Sequence, residues 1–241
     1  MSRAANPEQY QLSLGQHLLE LRARFLRAAL AMAVTTAASL GLSRRLLELL
    51  LRPVPEIFFF APGEAFAAHL RVAFLIGIPL AWPVVLYQIF AFIAPGLYPA
   101  ERRGLAILLP VGTVLFILGL AFGYLVMIPV VLVWLRGFAT GGVTAAISLS
   151  TYAGFVTRAL LPFGITFQLP LVVGVLSRIG MVTAGSMAGA RRWVYLGIAV
   201  AAALLTPPDV VSQILMALPM VVLYELSIVI ARLIAPRTGD A

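Results

Sequence analysis

The stretch VAFLIGIPLAWPVVLYQIFAFIAPGLYPA, residues 72–100, contains no Asp, Glu, Lys or Arg. A helix of about 20 apolar residues is long enough to cross the hydrocarbon core of a membrane, and this stretch exceeds that length. Three more charge-free stretches follow, at residues 104–135, 159–177 and 210–224. The sequence therefore predicts an all-α polytopic membrane protein rather than a soluble globular domain.

The composition of the 241-residue chain agrees with this class of protein. Apolar residues make up 62% of the chain, charged residues only 11%, and the mean hydropathy is +1.04. The net charge of +8 comes without a dense basic patch, so we expect no nucleic-acid partner. Because the chain has no cysteine and only two histidines, we expect no metal centre and no cofactor. The first sixteen residues have no apolar core, so we predict no cleavable signal peptide.

Hydropathy, proline and charge together predict a single membrane domain, residues 1–241, with six spans. The expected spans are residues 25–42, 72–93, 103–135, 152–177, 193–206 and 210–231. Residues 43–71 carry charges and prolines, and we expect them to form an ordered cap on the outer face. As a helix, residues 193–206 would be roughly 21 Å long, shorter than the ~30 Å hydrocarbon core. The fifth and sixth helices are therefore expected to form a short hairpin.

Prolines fall inside nearly every predicted span. They are Pro79, Pro83, Pro110, Pro129, Pro162, Pro170 and Pro219. Because proline removes a helical hydrogen bond and bends the helix, we expect curved helices in a glove-like arrangement rather than a parallel bundle.

The arginines indicate the orientation of the chain in the membrane. Six spans place both termini on one side, and if that side is cytoplasmic, eleven of the seventeen arginines face the cytoplasm. Five face outward, and Arg158 falls within the fourth span. Because basic residues accumulate on the cytoplasmic side, we predict a multi-pass protein of the cytoplasmic (inner) membrane with both termini inside.

Two glutamates at the predicted cytoplasmic face are the first candidate site residues. Glu20 lies one turn before Arg24 in HLLELRARF, residues 17–25, and its simplest interpretation is an i,i+4 ion pair worth about 0.3–0.5 kcal/mol. Glu101 begins the third span, where a carboxylate favours the positive end of the helix dipole. Both acids lie on a face that is otherwise rich in arginine. Since each carboxylate can bind a guanidinium, the two together are a candidate receptor for a cationic peptide.

Polar side chains within the predicted spans are the second set of candidates. Arg158 and Glu225 lie near the ends of their spans, and we expect their charged groups to reach the membrane surface. Gln168 lies near the middle of the fourth span and is either an intramembrane polar contact or a packing residue. Asp209 follows two prolines and is expected to cap the sixth helix.

In their order and spacing, these motifs resemble the TatC family, the multi-span signal-peptide receptor subunit of the twin-arginine protein translocase. The resemblance extends from about residue 12 to residue 234. It rests on the predicted six spans and on four stretches: residues 17–24, FIAPGLYPAERR at 92–103, TPPDVVSQ at 206–213 and the cap motif PGEAF at 62–66.

The resemblance implies a protein without catalytic chemistry that binds the Arg-Arg signal peptides of folded precursor proteins at the cytoplasmic face. It implies export driven by the proton-motive force, together with TatA/TatB-type single-span subunits, and self-association in a larger complex within membrane lipid. Matched by motif, Glu20 and Glu101 would hold the two signal arginines, Phe92 would line the site, and Arg22 would lie beside it.

The resemblance also implies a surface for partner subunits. Asp209, Ser212 and Gln213 would belong to the outer hairpin that binds them, with Gln168 as an intramembrane polar contact. Many family members have a glutamate where this chain has Gln168. Because glutamine does not titrate, a proton-coupling step at this position is not expected here, whereas a hydrogen bond to a partner helix remains possible.

Two other classes of protein remain open from the residues alone. A proton-coupled secondary transporter of a small solute would use Gln168, Arg158 and Glu225 as its polar path. The sequence contains no repeat that relates the first three spans to the last three, which weighs against this alternative. An intramembrane enzyme would need a serine-histidine, paired-aspartate or metal-ligand pattern, and none occurs within the predicted spans.

Overall fold

A computed structural model describes residues 14–54, 57–93, 99–137, 147–206 and 210–234, of which residues 14, 99–106, 135 and 136 are described by their backbone alone. The elements in chain order are α1 (Leu14–Ser39), a 3-10 turn (Leu40–Leu42), α2 (Ser43–Leu51), β1 (Ile57–Phe58), α3 (Pro62–Ile93), α4 (Pro99–Phe122), a π-helical turn (Gly123–Met127), α5 (Ile128–Arg136), β2 (Ile147–Ser148), α6 (Leu149–Thr166), α7 (Leu169–Arg178), α8 (Ala184–Leu205) and α9 (Val210–Ile234).

Six helical segments in the described part of the chain are long and apolar enough to cross a membrane. They are Gly15–Leu51, Pro62–Ile93, Ile107–Trp134, Leu149–Arg178, Ala184–Leu205 and Val210–Ile234. The predicted all-α, six-span architecture is therefore confirmed.

The helices of the first five spans all begin before their expected bounds, and the difference is largest in α1, which begins at Leu14 rather than near residue 25, and in α3 and α8. α3 begins at Pro62 rather than near residue 72, and α8 begins at Ala184 rather than near residue 193. The expected bounds followed the apolar runs, but helical hydrogen bonding continues through polar turns beyond the apolar run. At 22 residues α8 is about 33 Å long, so the expectation that it falls short of the bilayer is wrong for the helix as a whole. The fifth and sixth segments are nevertheless the shortest of the six, at 22 and 25 residues.

The first helix packs along α3 through a close approach at Gly77. A Cβ atom at Gly77 would lie 2.5 Å from the Cα atom of Thr36, so only glycine allows the two backbones to come this near. The neighbouring Thr35 donates a hydrogen bond from its Oγ1 to the Gly77 carbonyl oxygen at 2.8 Å. Because the carbonyl and hydroxyl both lie within the apolar layer, this bond joins α1 to α3 where water cannot compete.

The predicted cap closes one end of the bundle, which we call the cap end. It contains α2 and β1, and β1 pairs in parallel with β2, with Ile57 opposite Ile147. Tyr152 donates a buried hydrogen bond from its hydroxyl to the Leu50 carbonyl oxygen at 2.8 Å. The end of the predicted cap, from Pro62 onward, belongs to α3, so the cap and the second span are one continuous helix at this point.

The largest core lies where α3, α5 and α6 meet, and Phe163 is completely buried within it. The fourth span is broken at Phe167 and Gln168, just before Pro170, which lies at the start of α7. Proline cannot donate a backbone hydrogen bond, but it fits the first turn of a helix, where no such bond is made. α7 therefore begins at Leu169 with Pro170 in its first turn, and Gln168 lies at its N-terminal boundary.

Candidate functional site

The start of α1 and the end of α3 meet at the end of the bundle opposite the cap. The rings of His17 and Phe92 stack there, with 4.4 Å between their centroids and 25° between their planes. His17 lies three residues before Glu20, so the two side chains share one face of α1. The packing of α1 on α3 therefore brings Glu20 and Phe92, two of the predicted site residues, to the same place. We call His17, Glu20, Arg24 and Phe92 the α1–α3 site.

Glu20 forms an ion pair with Arg24 through only one of its carboxylate oxygens. Arg24 donates from Nε at 2.9 Å and from Nη2 at 2.5 Å, and both bonds end on Oε1 of Glu20. The side chain of Glu20 is 25% exposed and that of Arg24 is 19% exposed. No described residue donates a hydrogen bond to Oε2 of Glu20. The simple i,i+4 pair is thus present, and it leaves one oxygen open to a second donor.

An apolar groove of about 830 Å³ begins at the α1–α3 site and runs between α1 and α3 toward the cap. Arg24 and Phe92 line its mouth, so the groove and the site are continuous. Two polar groups on its walls, Oγ1 of Thr36 and Oε1 of Gln88, are buried and make no hydrogen bond within the described residues. The arrangement suits a ligand with a charged end and an apolar remainder.

The other two residues predicted for this site are less closely involved. Arg22 is exposed and forms no ion pair with a described carboxylate. It follows Glu20 by two residues, and side chains at that spacing do not face each other on a helix. Glu101 lies in the first turn of α4, but its side chain is outside the described residues.

Gln168 is 7% exposed and contacts its own chain. Its Nε2 donates to the Gly112 carbonyl oxygen at 2.9 Å, which connects the break between α6 and α7 to α4. Its Oε1 is buried and accepts no hydrogen bond from the described residues. An intramembrane polar contact was predicted at this position, and the described contact is intramolecular.

The hairpin residues are partly described. Asp209 lies outside the described residues. Ser212 is completely buried, whereas Gln213 is half-buried and donates from Nε2 to the Ala199 carbonyl oxygen at 3.2 Å. Gln213 therefore connects α9 to α8 near the predicted hairpin turn.

The three polar side chains expected to form the path of a transporter each make separate contacts. Glu225 was expected to reach the membrane surface, but it accepts two hydrogen bonds from Arg191, at 2.7 and 2.8 Å, and one from the Tyr195 hydroxyl at 2.6 Å. Arg191 lies between the expected fourth and fifth spans and was therefore expected in a loop, but α8 begins at Ala184 and holds it opposite Glu225. Arg158 donates from Nε to the carbonyl oxygen one turn before it, toward the start of α6. No described contact joins Glu225, Arg158 and Gln168 into one polar path.

Sequence reasoning did not single out three residues at the α1–α3 site or along the groove that leads from it: His17, Thr36 and Gln88. For His17 a signal was available, because it precedes Glu20 by three residues and shares its helix face. For the other two, no local pattern indicates which side of the helix faces the groove.

Comparison with known proteins gives a consistent result over nearly the whole chain. The family model described as Sec-independent protein translocase protein (TatC) matches residues 16–219. The TatC protein of Carboxydothermus hydrogenoformans is 34% identical over 95% of this chain and 97% of its own length. The TatC protein of Deinococcus radiodurans is 36% identical over 99% of this chain and 93% of its own length. A crystal structure of the twin arginine translocase receptor TatC matches with a TM-score of 0.82 at 32% identity, covering 90% of this chain and 99% of that chain.

Proposed function

The chain belongs to the TatC family of Sec-independent protein translocase proteins, and we propose that its α1–α3 site binds the Arg-Arg signal peptides of folded precursor proteins. The family is a component of a protein translocase rather than a class of enzyme. This chain is a multi-pass membrane protein of that translocase.

The observation that carries the proposal is the open carboxylate oxygen of Glu20 beside a stacked pair of rings. Arg24 binds Oε1 and so fixes the carboxylate, while Oε2 remains able to accept a bond from an incoming guanidinium. His17 and Phe92 provide aromatic faces next to it, on which a planar guanidinium can stack. A lysine ammonium offers neither the planar stacking nor the forked donors, so this site favours arginine.

Glu101 is proposed as the carboxylate for the second signal arginine. α3 ends at Ile93 and α4 begins at Pro99, so the first turn of α4 lies at the same end of the bundle as Phe92. Two carboxylates at that end correspond to the two adjacent arginines of the signal. In this proposal Arg22 lies at the edge of the site.

The orientation and the partners are part of the same proposal. Both termini and the α1–α3 site face the cytoplasm, in the inner membrane, and the cap faces outward. Precursor export depends on the proton-motive force and on TatA/TatB-type single-span subunits. Asp209 and Gln213 at the hairpin are proposed to contact those subunits, Ser212 is buried and offers no exposed surface to that contact, and Gln168 is proposed as a further hydrogen-bonding position. We also propose that the chain self-associates in a larger complex.

Site-specific photo-crosslinking tests the signal-peptide site. In the full chain in membrane vesicles, a photoreactive residue replaces Glu20 or Glu101, one at a time, so that the other carboxylate can still bind a signal arginine. A precursor with an Arg-Arg signal is compared with the same precursor carrying Lys-Lys. Crosslinks that form with Arg-Arg and fade with Lys-Lys are expected at both positions. Leu30, which is exposed on α1 but lies away from the site, is the control position. Equal crosslinking from all three positions, or none from Glu20 and Glu101, would contradict the assignment.

A further inference from the structure

Two arginines meet at the cap end of the bundle, where α3 packs against α6. Arg71 donates from Nη1 to the Ser150 carbonyl oxygen at 2.5 Å and to the Ser150 hydroxyl at 2.6 Å. A Cβ atom at Gly154 would lie 3.4 Å from Nη1 of Arg71 and 3.6 Å from Nη2 of Arg158. Nitrogen atoms of both guanidinium groups therefore lie within van der Waals distance of the position that a Cβ atom would occupy at Gly154. Because glycine has no Cβ atom, there is room for both groups. We call Arg71 and Arg158 the arginine pair.

No described carboxylate neutralises the arginine pair. The ion pairs among the described residues join other arginines to Glu20, Glu48 and Glu225. Glu64, two turns before Arg71 on α3, uses its Oε2 to accept bonds from the Phe60 backbone N–H and the Ser148 hydroxyl. Two neighbouring positive charges without a counter-ion repel each other, and the repulsion is stronger near a membrane than in open water.

Both guanidinium groups also retain unused donors. A guanidinium carries five N–H groups. In the described contacts Arg71 donates only from Nη1, and Arg158 donates only from Nε, to the Gly154 carbonyl oxygen at 3.2 Å. The remaining N–H groups of the two side chains can bind one anion between them, and a phosphate oxygen arrangement suits such forked donors.

The arginine pair lies where a phospholipid headgroup would lie, with apolar surface deeper in the membrane. Arg158 lies about 13 Å along α6 from its start, and its side chain bends back one turn toward that start, which brings the charge closer to the membrane surface. Ile165, two turns deeper than Arg158 on the same face of α6, is apolar and exposed, whereas Phe74, one turn deeper than Arg71, lines the apolar groove between α1 and α3. A headgroup at the arginines would therefore place its acyl chains over an apolar surface.

We propose that Arg71 and Arg158 bind the phosphate of an anionic phospholipid in the membrane leaflet at the cap end. A zwitterionic headgroup is less suitable because its ammonium group adds a third positive charge beside the pair. This site is independent of the proposed signal-peptide site, because about 32 Å of α3 separates Arg71 from Phe92.

Native mass spectrometry of the full-length protein in detergent tests the proposal with phosphatidylglycerol as the probe. We compare the unaltered chain with the double variant Arg71→Gln/Arg158→Gln. The control is Arg45→Gln/Arg52→Gln, which removes the same charge from two exposed cap arginines without a described ion pair. Because charge-assisted hydrogen bonds are lost, we expect the first variant to bind the lipid about tenfold more weakly, and the control to bind it as the unaltered chain does.

Two further arms identify the ligand. Diacylglycerol, which lacks the phosphate, is expected to bind weakly to all three proteins, and inorganic phosphate is expected to compete only at much higher concentration than the lipid. Equal retention of phosphatidylglycerol by the double variant and the control would overturn the proposal. So would binding of diacylglycerol as tight as that of phosphatidylglycerol, or of inorganic phosphate as tight as that of the lipid.

A single variant keeps the test valid if the double variant does not fold. Arg71 connects α3 to α6, so its loss can disturb the fold, whereas the hydrogen bond of Arg158 lies within α6. Arg158→Gln alone is therefore expected to fold and to weaken retention of phosphatidylglycerol several-fold. Retention by this folded variant equal to that of the unaltered chain would also overturn the proposal.

Discussion

Replacing Glu20 with glutamine is expected to separate signal recognition from folding. The variant loses the ion pair between Glu20, whose side chain is 25% exposed, and Arg24, whose side chain is 19% exposed. Helical i,i+4 pairs contribute about 0.3–0.5 kcal/mol, so we expect the free energy of unfolding to fall by no more than about 0.5 kcal/mol. The variant also loses the charge that Oε2 offers to a signal guanidinium. A hydrogen bond to a charged group is worth about 1.5–3 kcal/mol, which corresponds to about 10- to 150-fold weaker binding.

The assay is equilibrium binding of a fluorescent Arg-Arg signal peptide to the full-length protein in nanodiscs, with thermal unfolding measured on the same samples. The chain provides a matched control, because Glu48 forms an i,i+4 pair with Arg44 at the cap end, with side chains that are 66% and 85% exposed. Glu48→Gln removes the same kind of pair and is expected to leave signal binding unchanged. Unchanged binding by Glu20→Gln, or an equal loss in Glu48→Gln, would refute the reasoning.

Three other substitutions test the packing of the bundle. Gly77→Val is expected to force α1 away from α3 and to lower the free energy of unfolding by about 1–3 kcal/mol. Gly197→Val is the control and is expected to have little effect, because nothing lies within 4 Å of a Cβ atom at that position. Similar losses in both variants would contradict the role of the close approach. Tyr152→Phe removes a buried hydrogen bond to the cap and is expected to lower the free energy of unfolding by about 1 kcal/mol. Because α2 then loses its connection to α6, its amide hydrogen exchange is expected to become faster. Unchanged exchange in α2 would contradict the anchoring role of Tyr152. Glu225→Gln removes the bidentate pair with Arg191 and is expected to lower the thermal unfolding temperature slightly, by an amount that shrinks in high salt. A loss that does not depend on salt would indicate packing rather than charge.

The helices and their number were predictable because they depend on local properties of the chain. Transfer from water to hydrocarbon is favourable for each apolar side chain, and the contributions add along a helix, so an uninterrupted apolar run identifies a span without knowledge of its neighbours. The break before Pro170 was not predicted, and the local effect of proline does not explain it alone, because Pro79 and Pro83 lie inside the unbroken helix α3. The bounds at Pro62 and Ala184 were missed because apolar runs indicate where a helix enters the membrane and not where its hydrogen bonding begins.

Within the candidate site, the residue pattern alone predicted only the contact within a single helix, and the placement of Phe92 beside Glu20 came from the family resemblance. The pair Glu20 and Arg24 follows from their spacing of four residues. The stacking of His17 on Phe92 joins residues from different helices, and no pattern in either helix indicates it. The same holds for the pairing of Arg191 with Glu225, because Arg191 was placed in a loop.

The sequence by itself thus determined that the chain crosses a membrane six times, and which side chains are polar enough to need a partner there. The tertiary structure alone decided which partner each of them has. Hydropathy is nearly uniform around an apolar helix, so it does not specify how the helix is rotated or which neighbour it meets. Those choices depend on close contacts between helices, such as the approach of α1 to α3 at Gly77, which bring together residues that are far apart in the chain.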